Sequence, residues 1–255
     1  MENKIRRPFH RNVIEDLKEF KQNIEEDHVE SLKKAATEWK HKNPIDEKSF
    51  LDYYKTSAIY LDASANYNKS PKKLRLIAKI EKVIKSLKGV NSILDYGCGP
   101  GSDALELCSQ GYWMIAMDLG SEMFNFLLYR TKKYKMMNFA ALEIDEVKPL
   151  PYSDLILSLD VLEHAFNPYK PLDKFFQTGA KYLLLTTAFK VHNDRDAEIP
   201  HHTDYAVAKI EKYIQEHGYK KIKLNLAFPP RLFVREDLLD SYLLETAKSL
   251  VKAEL

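Results

Sequence analysis

Glycine is scarce in this chain. There are eight in 255 residues, about 3% where ~7% is ordinary, yet Gly97, Gly99 and Gly101 fall within five positions. Cysteine is scarcer: Cys98 and Cys108 are the only two, too few for a disulfide framework, and free thiols suit a reducing cytoplasm. Long apolar runs are missing as well. No stretch nears the ~18 residues of a membrane span. The first twelve residues carry Arg6, Arg7 and Arg11 without an apolar core, so neither secretion nor a membrane partner is expected. Nor is there an excess of one charge: 39 basic side chains face 37 acidic ones, a net charge of +2, which argues against a nucleic-acid partner. What remains is 45% hydrophobic and 30% charged, the profile of a soluble globular protein long enough to bury most of its unfolded surface without a structural metal.

The charge is unevenly spread. Residues 1–90 hold 20 basic and 14 acidic side chains, a surplus of +6 that leaves −4 for the other 165. The surplus alternates with acids, as on a solvated helix face. Asn12 is placed to cap a helix, with Glu15 in the capping-box position. Ile14, Leu17, Phe20, Ile24, Val29, Leu32, Ala36 and Trp39 recur at helical spacing, which predicts one long amphipathic helix or two in tandem. Such a stripe must lie on a core or on a second copy of the chain, so a homodimer through these helices is one expectation. Pro44 interrupts the pattern, a tyrosine-rich stretch follows (Tyr53, Tyr54, Tyr60, Tyr67), and Ser70-Pro71 opens another helix that Gly89 ends. Residues 1–69 are therefore expected to form a helical extension or lid, and 70–255 the main domain.

After Gly89 the rhythm changes. Strands are expected at 92–96, 113–117, 138–142, 155–159, 182–186 and 222–227, with helices at 102–110, 121–133, 171–178 and 204–217. Strands that are apolar throughout and alternate with helices imply an α/β fold with a parallel sheet covered on both faces.

The glycine cluster lies at the first strand's end, in Ile93-Leu94-Asp95-Tyr96-Gly97-Cys98-Gly99-Pro100-Gly101-Ser102. In open α/β sheets ligands bind at this edge, and glycines let a backbone turn tightly and a ligand approach closely. Ser102 stands where the dinucleotide fingerprint wants a third glycine or alanine, and Pro100 removes a donor, so a nicotinamide dehydrogenase is disfavoured. No Lys-Ser/Thr pair follows, so the P-loop pattern fails too. Asp118, 21 residues after Gly97, ends the next strand, where a carboxylate can accept both hydroxyls of a ribose.

Together these residues resemble motif I and the following acidic position of class I S-adenosylmethionine-dependent methyltransferases. The resemblance covers about residues 70–230. It implies a Rossmann-like, seven-stranded, mostly parallel sheet, S-adenosyl-L-methionine as cofactor, and cofactor contacts from Asp95, Gly97, Cys98, Gly99, Gly101, Asp118, Leu119, Met123 and Leu159. Glu143 or Asp145 would meet the adenine amino group, and the spacing does not choose between them. Pro71-Lys72-Lys73-Leu74-Arg75-Leu76 looks like the entering helix of ubiquinone-biosynthesis O-methyltransferases, whose arginine faces the cofactor carboxylate; Arg75 takes that place. Methyl transfer needs no cysteine nucleophile, so Cys98 is read as packing.

Asp160-Val161-Leu162-Glu163-His164 follows the fourth strand. Asp160 and Glu163 share a face if the chain turns helically there. Similar patterns in ubiquinone-type and small-RNA 3′-end O-methyltransferases look like a divalent-metal site completed by a distant histidine. The resemblance thus offers Asp160, Glu163, His164 and His202 as ligands for Mn, Fe, Zn or Mg, with His192 and His201 nearby. The alternative needs no metal: His164 or His201 is the general base and Glu163 orients it. The expected function is O-methylation of a small-molecule hydroxyl by in-line transfer. An RNA 2′-O-methyltransferase and a non-catalytic cofactor-binding scaffold are the alternatives.

Overall fold

The computed structural model describes residues 8–186, 207–224 and 230–239. Seven strands, β1 (Ser92–Tyr96), β2 (Trp113–Asp118), β3 (Phe139–Glu143), β4 (Leu155–Leu159), β5 (Tyr182–Thr186), β6 (Tyr219–Ile222) and β7 (Arg231–Arg235), form one sheet in the order β3-β2-β1-β4-β5-β7-β6. The pairs β2/β3, β1/β4 and β4/β5 are parallel, while β5/β7 and β6/β7 are antiparallel. This is the expected mostly parallel sheet. Between β1 and β4 the chain order reverses, which is where open α/β sheets bind ligands beyond the strands' carboxyl ends.

Backbone contacts divide the described residues into two compact units, 8–78 with Cys98–Ile144, and Lys79–Gly97 with the remainder. The first unit contains α1 (Pro8–Arg11), α2 (Val13–Phe20), α3 (His28–Lys42), α4 (Glu47–Thr56), α5 (Ala58–Asn68), the start of α6 (Pro71–Ser86), α7 (Ser102–Ser109), α8 (Glu122–Lys133), β2 and β3. The long N-terminal stripe thus forms two helices in tandem, α2 and α3. Asn12 precedes α2 but does not cap it: it sits at φ −87°, ψ 0° directly after α1 with no side-chain capping bond, whereas a capping side chain needs an extended backbone. The break between α2 and α3 is made by α5. Its Asp62 accepts from the Glu25 amide (2.9 Å) and pairs with Lys21 (2.7 Å), and its Asn66 donates to the Glu25 carbonyl (2.7 Å). Asp27 then caps α3 by accepting from the Glu30 amide. Val29, expected on the buried stripe, is exposed.

Two apolar clusters hold these helices. Val13, Ile14, Leu17, Leu61, Ala65, Met123 and Phe126 form one; Ala35, Phe50, Tyr53, Tyr54 and Ala63 form the other, with Trp39 packed edge-on to Phe50 and Tyr53. Tyr53 and Tyr54 of the tyrosine-rich stretch are therefore core, with Tyr60 packed against them. Tyr53 donates to the Ala35 carbonyl (3.0 Å), and burial pushes its pKa up to about 12.

The second unit carries β1, β4, β5, β7 and β6 with α9 (Tyr169–Thr178) and α10 (Val207–Glu216). Every residue of β4 and β5 is buried. Of the last expected strand, 222–227, residues 225–227 lie outside the described residues; β6 ends at Ile222, and the next described strand is β7. Its antiparallel pairing with β5 and β6 buries Leu232, Phe233 and Val234.

Candidate functional site

In the first unit the glycine loop is built around Asp118. Gly99 and Gly101 have φ of 56° and 74°, conformations that side chains with a Cβ adopt only at a cost. The Cys98 amide donates to the Met117 carbonyl (3.0 Å) and the Gly99 amide to Asp118 Oδ2 (2.6 Å). Asp118 Oδ1 accepts from the Leu119 amide (2.8 Å). Burial outweighs these two donors and pushes the Asp118 pKa up to about 6. Each carboxylate oxygen offers two lone pairs, so both can still accept from a ligand. Space at the glycines is taken by the chain itself: a Cβ at Gly101 would collide with Leu127 Cδ1, and one at Gly99 would meet Ser64 Oγ at 3.2 Å.

The adenine-side candidates now differ. Glu143 pairs with Asp118 in the β2/β3 register, and its Oε2 lies 2.5 Å from where a Cβ of Gly120 would be. Asp145 instead accepts from the Val147 (2.8 Å) and Lys148 (3.2 Å) amides of its own turn, which hold its pKa below the ordinary value. Leu119 packs against the Phe50/Tyr53 cluster, and Met123 is buried among Val13, Ile14 and Leu17. Cys98 is buried. Arg75 is exposed on α6, whereas Lys73, two residues earlier, is buried and pairs with Asp103 at 2.7 Å. Asp103 also accepts from His10 (2.8 Å), and burial, which would raise its pKa, loses to Lys73 and His10, so the carboxyl is held well below its usual range.

Sequence reasoning missed Arg130. It is fully buried, and its guanidinium donates to Asp16 Oδ2 (2.8 Å), the Pro100 carbonyl (2.6 Å), Ser102 Oγ (2.9 Å) and the Phe9 carbonyl. A signal was present: Arg130 follows Met123 and Leu127 at helical spacing on the buried face of α8.

In the second unit Asp95 is buried on β1 and Leu159 ends β4. Gly97, at φ 73°, lies so close to Val161 that a Cβ would sit 2.5 Å from Cγ2. Asp160 is left-handed at φ 57°. It is held by Thr186 at the end of β5: the Asp160 amide donates to Thr186 Oγ1, which donates to Asp160 Oδ1, both at 2.8 Å. Leu162–His164 then forms a single 3-10 turn with Glu163 fully buried and His164 half-buried. The structure thus gathers Asp160, Glu163 and His164 after β4, with the glutamate directed inward. Among the described residues no three His, Cys, Asp or Glu side chains come together as a metal site. Asp160 Oδ1 already accepts from Thr186. His192, His201 and His202 lie outside the described residues, so the divalent-metal expectation gains no support. Arg231 pairs with Glu211 at 2.7 Å.

Comparison with known proteins bears on the family and the fold. The methyltransferase domain family matches residues 67–222, more than half of the chain. The ubiquinone biosynthesis O-methyltransferase of Rickettsia bellii (strain OSU 85-389) is 33% identical over 97 residues, which are 37% of this chain and 40% of that protein, so the match spans less than half of that relative's length. Two crystal structures share the fold. A SAM-dependent methyltransferase from Aquifex aeolicus aligns with a TM-score of 0.51 at 20% identity, covering 65% of this chain and 92% of that one. Magnesium protoporphyrin IX methyltransferase from Synechocystis PCC 6803, with bound SAM, aligns with a TM-score of 0.50 at 15% identity, covering 84% and 100%. With its glycine loop, its Asp118 and its strand order, the chain belongs to the methyltransferase domain family and to the S-adenosylmethionine-dependent class I fold.

Proposed function

We propose that this chain methylates a hydroxyl oxygen of a small-molecule acceptor. The observation that carries the cofactor half is Asp118, whose two oxygens each hold one backbone amide and keep acceptor capacity beside the left-handed Gly99. Those two acceptors suit the two hydroxyls of a ribose diol. Glu143, at the neighbouring strand end, is the acid for the adenine amino group, because Asp145 is engaged by its own turn. When bound, the cofactor supplies a sulfonium methyl, which the acceptor oxygen takes in line as the carbon–sulfur bond breaks toward sulfur.

The chain's own residues must orient the hydroxyl and receive its proton. His164 is the base, because imidazole is the side chain that most often serves as a general base near neutral pH. Glu163, buried in the same turn, is the positioning residue for that ring. The Asp160–Thr186 pair fixes the entry to the turn, and no step uses a metal. Oxygen as the acceptor atom is supported by the name of the Rickettsia relative, which covers part of the chain.

The test is a panel of phenols, sugars and amines incubated with methyl-labelled S-adenosylmethionine. An O-methyl product, lost in His164→Ala while S-adenosylhomocysteine binding persists, supports the reading. Products methylated only on nitrogen, or absence of cofactor binding by the wild type, overturns it.

A further inference from the structure

We propose that Arg130 is a positioning residue for the glycine loop, and that through it α1 and α2 form part of the cofactor-binding machinery. Four bonds converge on one guanidinium: the Pro100 carbonyl inside the loop, Ser102 where α7 begins, Asp16 on α2, and the Phe9 carbonyl of α1. Arg130 and Asp16 are both fully buried. Removing either leaves a buried charge without its counter-ion, which is strongly unfavourable. A planar fork of five donors can brace a carbonyl, a hydroxyl and a carboxylate at once, which an ammonium cannot.

Pro100 has no amide hydrogen, so local bonding within the loop is reduced. Its carbonyl is fixed from outside instead. Gly101, the next residue, packs on Leu127, three residues before Arg130 on α8. The far end of the brace is equally defined. Asp16 also accepts from Lys133 Nζ (2.8 Å) and Tyr134 OH (2.8 Å), so the carboxylate is held in place whether or not a ligand is present. A second contact runs in parallel: His10 of α1 bonds Asp103 of α7, which Lys73 neutralises. Displacing α1 and α2 therefore releases the Pro100 carbonyl and the first turn of α7 together.

The inference rests on the loop being the cofactor site, but its first test does not need a cofactor. Native-state hydrogen exchange of the wild-type chain along a urea series should show the amides of α2 and of Gly99–Asp103 opening in one event; independent opening overturns the proposal. Two variants extend the test. Arg130→Lys keeps the charge and loses the fork. Asp16→Asn is isosteric and lies outside the loop. In each the loop amides should exchange about tenfold faster, and the Kd for S-adenosylhomocysteine and the KM for the cofactor should rise about tenfold with kcat little changed. A lower melting temperature with unchanged loop exchange and Kd would assign Arg130 a merely structural role. If the wild type binds no S-adenosylhomocysteine, the functional reading fails while the exchange result still decides the brace.

Discussion

The glycine loop of the first unit and the turn after β4 in the second are held in different ways. Around the glycine loop, ion pairs and hydrogen bonds bridge distant parts of the chain: Arg130 reaches Asp16 and Phe9, 114 and 121 residues away, and His10 reaches Asp103, 93 residues away. After β4 the His164 amide donates to the Val161 carbonyl within the turn, and the Asp160 amide donates to Thr186 Oγ1 on the neighbouring strand. A shared cofactor calls for a frame that does not move. An acceptor pocket that differs among methyltransferases is better served by a turn whose residues can be exchanged locally.

The contrast breaks most readily at His164. His164→Ala should lower turnover about 10² to 10⁴-fold, the usual contribution of general-base catalysis, with S-adenosylhomocysteine affinity unchanged by calorimetry. Asp118→Ala should do the reverse, raising the Kd roughly a hundredfold for two charged hydrogen bonds lost.

Backbone strain gives the next largest effect. Gly97→Ala places a Cβ against Val161 at φ 73° and should cost about 3 kcal/mol in urea unfolding. Gly218, at φ 83° with nothing within 4 Å, should cost only about 1 kcal/mol as Gly218→Ala.

The smallest effects are in pH. Burial and then the Gly99 and Leu119 amides set Asp118 at about 6, above the ordinary 3.8. The folded chain therefore binds more protons than the unfolded one in that window, and this group's contribution to stability falls as pH rises through it. Ribose hydroxyls favour the carboxylate, so cofactor affinity should rise between pH 5 and 7, by at most about tenfold per unit. His10 runs oppositely in charge. Burial lowers its pKa, but hydrogen bonds to Asp103 and Glu106 outweigh that and raise it above 6.5. Its stabilisation is fully present below pH 6.5 and is lost as pH rises through the folded value. His10→Gln should flatten that part of a stability-against-pH curve.

The strands β1, β4 and β5 were legible because each is an apolar run ended by turn residues, and Asp118 because its spacing from Gly97 is a property of the β1-α7-β2 unit. The break before Asp27 was not, because it depends on partners supplied from elsewhere, the Glu25 amide and carbonyl bonding Asp62 and Asn66 of α5. On α6 the resemblance singles out Arg75, which is exposed, and gives no sign that Lys73 is the buried cation, because that follows from its pairing with Asp103 on α7. Asp160 carried no signal of its left-handed backbone, which Thr186 stabilises from β5.

The most direct measurement is calorimetric titration of S-adenosylhomocysteine into wild type and Asp118→Asn at pH 5, 6 and 7. The expected result is wild-type affinity that strengthens with pH and a weak, pH-independent Asp118→Asn variant. Equal affinities for the two chains, or a wild-type affinity that does not change with pH, would contradict the placing of the ribose on Asp118.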